Sequence, residues 1–399
     1  MRIVLLVILS SILLLPSCGG GDSNPGLSSL IIQPDDGRDP ILKTIAKATD
    51  NIRLAIYEIT DLQSVTQTPA APADSVVQAL IDKARSGVSV RIIVDQNQYS
   101  TGSSALLIEQ TVAALRAAGA IVHLSSTAFC VTHQKTLVID GPTTANPGLS
   151  GTAIIMSLNL MPGYFGGTRD YAVITSETGI VKEVSSVFDS DFVLVNPHSA
   201  CYYAHSPGDT YYPPGASDTP SVSEGNLLWS PVNSKPKLLQ LMGSATKSLE
   251  ITTEELTDTD MVCKIEAIAN SAAKPNIRIL LSGDTGSNAP AVTKLLGLDL
   301  PNLSIRIMPG QPTPPATTPV TPLYMHGKQI IADGTQAFVG SENLTNTSLL
   351  QNRELGILFT DPEMIARLYA VFISDFSASG NSLPAQTCTL NCGTPINCP

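Results

Sequence analysis

The sequence predicts an α/β protein made of two similar lobes. Short β-branched and aliphatic runs alternate with stretches of helical spacing. That alternation occurs twice along the chain, the mark of an internal repeat. Each copy also carries the pattern His-x-Lys-x4-Asp followed by glycine, once as His133, Lys135, Asp140 and Gly141 and again as His326, Lys328, Asp333 and Gly334. The chain has only five histidines, so two in one pattern point to function. Its 399 residues with 43% hydrophobic content suffice for two cores of ordinary size.

The first copy opens at residues 52–61, whose Ile-Arg-Leu-Ala-Ile start reads as a strand. A helical stretch near 75–86 follows, then a strand at 90–95, a helix around 105–118, a short strand at 121–124 and the strand that starts at His133. The second copy runs through a strand at 249–258, a helix near 261–272, strands at 277–281 and 303–307, and the His326 strand. Glu58 and Glu255 take matching places in the two opening strands; they either reach a cleft or pair with cations inside their own lobes. Beyond the motifs the register continues. Ser157 and Asn159 precede Arg169-Asp170, Ser341 and Asn343 precede Arg353-Glu354, and eleven residues separate the Asn from the acid in both copies. Amphipathic stretches at 180–192 and 362–376 read as helices that close each lobe.

The N-terminus reads as a targeting segment. Arg2 precedes an apolar run over 3–15 that is too short to span a bilayer and fits an export signal. Its Leu-Pro-Ser-Cys ending resembles a bacterial lipobox, which implies cleavage before Cys18, a lipid on its thiol and a membrane partner. The expected organisation is a signal peptide (1–17), a flexible tether (18–38), a first lobe (39–195), a Pro/Gly/Ser/Tyr-rich linker (196–226), a second lobe (227–378) and a cysteine-containing tail (379–399). The expected location is the bacterial cell envelope, at the periplasmic face or the outer membrane. Six further cysteines, Cys130, Cys201, Cys263, Cys388, Cys392 and Cys398, form an even set in an exported chain and read as disulfides. A net charge of −11 and a pI near 4.9 argue against a nucleic-acid partner held by phosphate neutralisation.

On the paired His-x-Lys-x4-Asp motifs and their Ser-x-Asn followers, the chain resembles the phospholipase D superfamily. The first copy departs from the usual Gly-Ser-x-Asn, with Met156 in place of glycine. The resemblance implies that both motif strands meet in one active site shared by the two lobes. It also implies that His133 is the nucleophile and His326 the general acid, with Asp170 orienting His133 and Glu354 orienting His326.

Strand parity fits this chemistry. His133 and Lys135 share a face, as do His326 and Lys328, Ser157 and Asn159, and Ser341 and Asn343. Converging on one point, they make a phosphodiester site. One imidazole attacks phosphorus, the other protonates the leaving alkoxide, and Lys135, Lys328, Ser157, Asn159, Ser341 and Asn343 bind substrate. The Lys and Asn donors take the task many enzymes give to a metal, so neither metal nor cofactor is expected. Asp140 and Asp333 have the wrong parity for the phosphate and read as structural anchors at a strand end. The leading function is a phospholipase D-like phosphodiesterase on phospholipids that works through a covalent phosphohistidine, with hydrolysis, transfer of the phosphatidyl group to alcohols, or both. The alternatives are a nuclease of the same type or a cardiolipin-synthase-type phosphatidyltransferase. A catalytically silent binding lipoprotein is disfavoured, because both motifs are intact.

Overall fold

A computed structural model describes residues 28–60, 75–194, 225–283, 286–308 and 323–380. The signal segment, Cys18, most of the linker, Cys201 and the tail cysteines lie outside the described residues. Cys130 and Cys263 are disulfide-bonded. No helix among the described residues is long and apolar enough to cross a membrane.

The first lobe runs β1 (Ser29–Gln33), α1 (Asp39–Ala46), β2 (Asn51–Ile56), α2 (Val76–Arg85), β3 (Ser89–Val94), α3 (Gln96–Thr101), α4 (Ala105–Ala117), β4 (Ile121–Leu124), β5 (Lys135–Ile139), β6 (Thr152–Met156), β7 (Thr168–Thr175) and α5 (Thr178–Val193). The second runs β8 (Leu227–Ser230), α6 (Ser234–Gly243), β9 (Ser248–Thr253), α7 (Thr259–Ala269), β10 (Asn276–Ser282), α8 (Ala289–Leu296), β11 (Leu303–Met308), β12 (Tyr324–Met325), β13 (Lys328–Ala332), β14 (Gln336–Gly340), α9 (Asn346–Leu350), β15 (Glu354–Phe359) and α10 (Pro362–Ala378).

Each lobe folds around one sheet, and the two sheets have the same strand order. The first reads β1-β7-β6-β5-β2-β3-β4, and the second, from its equivalent edge, β8-β15-β14-β13-β9-β10-β11. In both, three parallel strands lie beside an antiparallel group that carries the motif strands β5 and β13. Strand β2 is buried along its whole length, which accounts for its continuous aliphatic run. Its Ile52, Leu54 and Ile56 pack with Ile45, Leu80 and Val112 of the first-lobe helices, and Leu249 and Ile251 pack with Leu238, Ile265 and Leu295 of the second. A third apolar layer joins the lobes: Ile155, Tyr171 and Val173 meet Ile331, Val339, Leu355 and Ile357, with Trp229 beside them.

The structure corrects the tether. Residues 18–38 are not one flexible leash, because Ser29–Gln33 is a strand antiparallel to β7, with Ile31 and Ile32 buried. The apolar run at 30–32 covers an edge of β7 that would otherwise present unpaired backbone. Strand β8 does the same for β15, and neither strand, nor α1 and α6 that follow them, was read from the sequence.

The motif aspartates lie at the end of their strands and away from the cleft. Asp140 and Asp333 both take left-handed backbone, with φ of 49° and 54°. The Asp140 carboxylate accepts the backbone N–H groups of Thr49 at 3.0 Å, Asp50 at 2.8 Å and Asn51 at 3.0 Å, plus the Thr49 hydroxyl at 2.9 Å. Asp333 repeats this with Thr246 at 3.0 Å, Lys247 at 2.7 Å, Ser248 at 3.0 Å and the Thr246 hydroxyl at 2.8 Å. Each thereby ties the end of a motif strand to the start of its neighbour, β2 or β9. Partial burial alone would raise both carboxyls, but these hydrogen bonds outweigh it and hold them below the ordinary aspartate value.

Asp140→Ala should therefore lose about 2 kcal/mol of stability, from lost charged hydrogen bonds and from a left-handed residue that Ala tolerates poorly. Asp140→Asn, which accepts that backbone, should lose less. A depressed carboxyl contributes stability that is present above its unfolded value of about 3.9 and is lost as pH falls through its folded value. The gap between wild type and Asp140→Asn should thus narrow below about pH 4. Denaturant titrations from pH 3 to 7 check both; a wild-type midpoint in Asp140→Ala would contradict the anchor.

Candidate active site

The segments that enter the motif strands cross to the opposite lobe. Strand β12, two residues before Gly327, pairs with Thr168 and Arg169 of β7 in the first sheet. The N–H groups of His326 and Gly327 both donate to the Arg169 carbonyl, at 3.3 and 2.7 Å. The mirror contact joins Thr132 to Arg353, where His133 and Gln134 donate to the Arg353 carbonyl at 2.9 Å each. The side chains of these arginines also bridge the lobes. Arg169 forms a two-point pair with Asp375 of α10, at 2.7 and 3.1 Å, and Arg353 bonds Asp191 of α5 at 2.8 Å. Between His326 and Lys328 the backbone is pressed against the first lobe, and a Cβ on Gly327 would lie 2.5 Å from the Tyr171 ring.

This crossing overturns the expected pairing of acids with histidines. Asp170 does not serve His133, nor Glu354 His326. His133 Nδ1 is 2.8 Å from Glu354, and His326 Nδ1 is 2.8 Å from Asp170. The cause is local. Each arginine carbonyl holds the other lobe's histidine segment, so the next residue along the chain, the acid, meets that histidine.

Ser157 and Ser341 are also corrected. Both are fully buried, and each hydroxyl donates to the nearby acid at 2.6 Å, Ser157 to Asp170 and Ser341 to Glu354. Parity put them on the correct face, but a short side chain just past β6 or β14 reaches only the adjoining strand. They hold the carboxylates in place. Thr168 at 2.6 Å completes Asp170, and Ser348 at 2.8 Å with Asn352 at 3.1 Å completes Glu354.

The remaining polar groups gather with the two imidazoles. Lys135 Nζ donates to the His133 carbonyl at 2.7 Å, and Lys328 Nζ donates to the His326 carbonyl. Asn159 Nδ2 lies 3.2 Å from Glu58 and 3.0 Å from the Tyr164 hydroxyl; Asn343 Nδ2 lies 3.2 Å from Glu254. Tyrosine edges confine both rings, Tyr57 at 4.7 Å from His133 and Tyr164 at 5.0 Å from His326. Burial, aided by Lys135 and Lys328, pushes His133 down to about 4 against the pull of Glu354. Its Nδ1 proton then goes to Glu354 and Nε2 carries the free lone pair. Burial and the Lys328 charge push Lys135 down to about 7.

Glu254 is the functional residue that sequence reasoning missed. It follows β9 directly, the place Tyr57 takes after β2, and its Oε2 lies 3.0 Å from Lys328 Nζ. Burial alone would raise this carboxyl, but Lys328, His326 and the Tyr324 hydroxyl hold it far below the usual carboxylate range. Its neighbour Glu255, the equivalent of Glu58, faces elsewhere, with Ser287 at 3.2 Å. The signal was the break in the repeat, Tyr against Glu, one residue before the pair that was noticed. Among the described residues, no group of three or more His, Cys, Asp or Glu is placed to hold a metal ion.

The family model described as cardiolipin synthase, PLD-like domain, matches residues 41–192 and 238–376, one segment in each lobe. Two proteins of Bacillus subtilis (strain 168) are similar in sequence. The probable cardiolipin synthase YwiE is 23% identical over 323 residues, covering 76% of this chain and 58% of that protein. The major cardiolipin synthase ClsA is 24% identical over 361 residues, covering 86% and 68%. The chain thus spans little more than half of the first of these relatives. Among solved structures, the phosphatidylserine synthase of Haemophilus influenzae Rd KW20 superposes with a TM-score of 0.58 at 13% identity, over 88% of this chain and 85% of that one. The polyphosphate kinase of Porphyromonas gingivalis gives 0.59 at 14% identity, over 88% and 50%. At these identities the structural likeness speaks for the fold alone.

The crossed pairing predicts the behaviour of the ring protons. With labelled histidine, Glu354→Gln should move the Nδ1–H resonance of His133 and leave that of His326, and Asp170→Asn should do the reverse. The opposite assignment would restore pairing within each lobe.

Proposed function

Because the chain belongs to the phospholipase D superfamily, matched in both lobes by its cardiolipin-synthase type of domain, we propose that it is a phosphatidyltransferase, passing a phosphatidyl group from a phospholipid to an alcohol through a phosphohistidine. The observation that carries this reading is the match over both lobes, joined to a site where two carboxylate-held imidazoles face one set of Lys and Asn groups. Hydrolysis, which the sequence left open beside transfer, becomes the second reading, since the matching domain and both similar proteins are synthases by description.

In this mechanism Nε2 of His133 attacks phosphorus. A P–N bond forms as the P–O bond to the departing alcohol breaks, and His326 gives that alkoxide its proton. The acceptor alcohol then loses its proton to His326 as its oxygen attacks phosphorus and the P–N bond breaks. Neutral His133 suits the nucleophile, and Lys135 neutralises the non-bridging oxygens as charge builds in each transition state. Glu354 and Asp170 keep both Nε2 atoms turned to the reaction. A lipid on Cys18 would keep this site beside phospholipid in the cell envelope.

Purified protein given phospholipid vesicles and glycerol should form the glyceryl ester and should continue in excess chelator. His133→Ala should form no product and no labelled enzyme, a loss on the order of 10⁴-fold or more. Product from His133→Ala at the wild-type rate would remove it from the chemistry. Substrate affinity should weaken as pH rises past about 7, where Lys135 loses its proton. In Lys135→Arg that limb should vanish from the KM profile, because a guanidinium stays charged.

A further inference from the structure

Two strands that the repeat makes equivalent end in different residues. Tyr57 follows β2 and turns its ring edge to His133, while Glu254 follows β9 and sets a carboxylate beside His326. That carboxylate reaches the polar groups of the second half-site: Lys328 Nζ at 3.0 Å, Asn343 Nδ2 at 3.2 Å and His326 Nε2 at 3.8 Å on one oxygen, with the Tyr324 hydroxyl on the other. Lys135 has no such partner among the described residues; its Nζ bonds the His133 carbonyl and lies 5.2 Å from the centre of the Tyr57 ring. The Lys328 charge is thus paired directly, whereas Lys135 is offset only at longer range, by Glu354, Glu254 and Glu58.

Oδ1 of Asn343, on the same amide whose Nδ2 bonds Glu254, is buried with no partner, as is Oδ1 of Asn159 in the first lobe. Around His326, the imidazole that handles the alcohol, the second lobe thus offers acceptors, namely the Glu254 carboxylate and the Asn343 carbonyl. A hydroxyl or ammonium group finds partners there, whereas an anion meets repulsion in a low-dielectric setting.

We propose that Glu254 is a specificity-determining residue, which makes the second-lobe half of the site the alcohol half and selects alcohols that bear a hydroxyl or an ammonium group over those that bear a carboxylate. The inference rests on the transfer reading above. Phosphate charge goes to the Lys135 side, and the alcohol sits between His326 and Glu254.

The test is competition inside one reaction. Phosphatidylcholine vesicles are offered equal concentrations of ethanolamine, ethylene glycol and glycolate, three alcohols of similar size that differ in charge, and the products are resolved by mass. Wild type should favour the ethanolamine and glycol esters over the glycolate ester by about tenfold or more. Glu254→Gln and Glu254→Ala should bring the ratios within about threefold of one another as the repulsion is removed. The ratio is internal to each reaction, so it does not depend on how much of a variant is folded. A wild type that does not discriminate, or an unchanged ratio in the variants, overturns the proposal. Loss of all product in both variants also overturns it, since a residue that only selects the alcohol is not required for turnover. Absence of any alkyl ester from the wild type overturns the transfer reading itself, and this inference with it.

Discussion

Each histidine is oriented by an acid from the other lobe, and most of the architecture follows from that constraint. His133 depends on Glu354, and His326 on Asp170, so neither half-site is finished by its own sheet. The lobes must therefore be seated in one relative position. The shared apolar layer supplies the attraction, but such layers tolerate small slips. Directional contacts remove the freedom: the arginine carbonyls that hold the opposite histidine segments, and the Arg169–Asp375 and Arg353–Asp191 pairs that reach the opposite closing helices. Once desolvation is counted, buried pairs of this kind add little net stability. Their geometry nonetheless admits only one seating, and one seating is what the crossed histidines need.

Burial also sets the electrical state of the site before substrate arrives. Two lysines, two imidazoles and several carboxylates share a nearly dry space, and each must be compensated or driven toward neutrality. Lys328 is compensated by Glu254, whereas Lys135 and His133 are pushed toward their neutral forms. On the reading proposed above, a phosphodiester would bring further negative charge to Lys135 and favour its charged form. The outer aspartates play no part in this balance, because their lone pairs are taken up by backbone donors.

Much of this was legible in the sequence. The duplicated motif, the equal spacing from Asn to the acid and the parity of Lys135, Lys328, Asn159 and Asn343 located the site, and parity also placed Asp140 and Asp333 outside it. The pairing of acid to histidine was not legible, since spacing along a chain reports what one lobe contains and not which lobe its strand ends touch. Ser157 and Ser341 were misread for a related reason: parity gives a face but not a reach. The short strands β1 and β8 carry too few residues to show a period, and they form because β7 and β15 offer them an edge. Glu254 was hidden by attention to similarity; a repeat is most informative about conserved chemistry where its copies agree, and about division of labour where they differ.

The close seating of Gly327 on Tyr171 bears on how the duplicated gene can drift. The first motif carries Gln134 at the middle position, whereas in the second a side chain there would meet the Tyr171 ring and the Arg169 carbonyl. Recombination that copied the first motif over the second would preserve every reactive group and still set a side chain against Tyr171 and the Arg169 carbonyl. The two copies are thus held from converging on each other by packing, and their divergence can persist without any difference in chemistry to select for it.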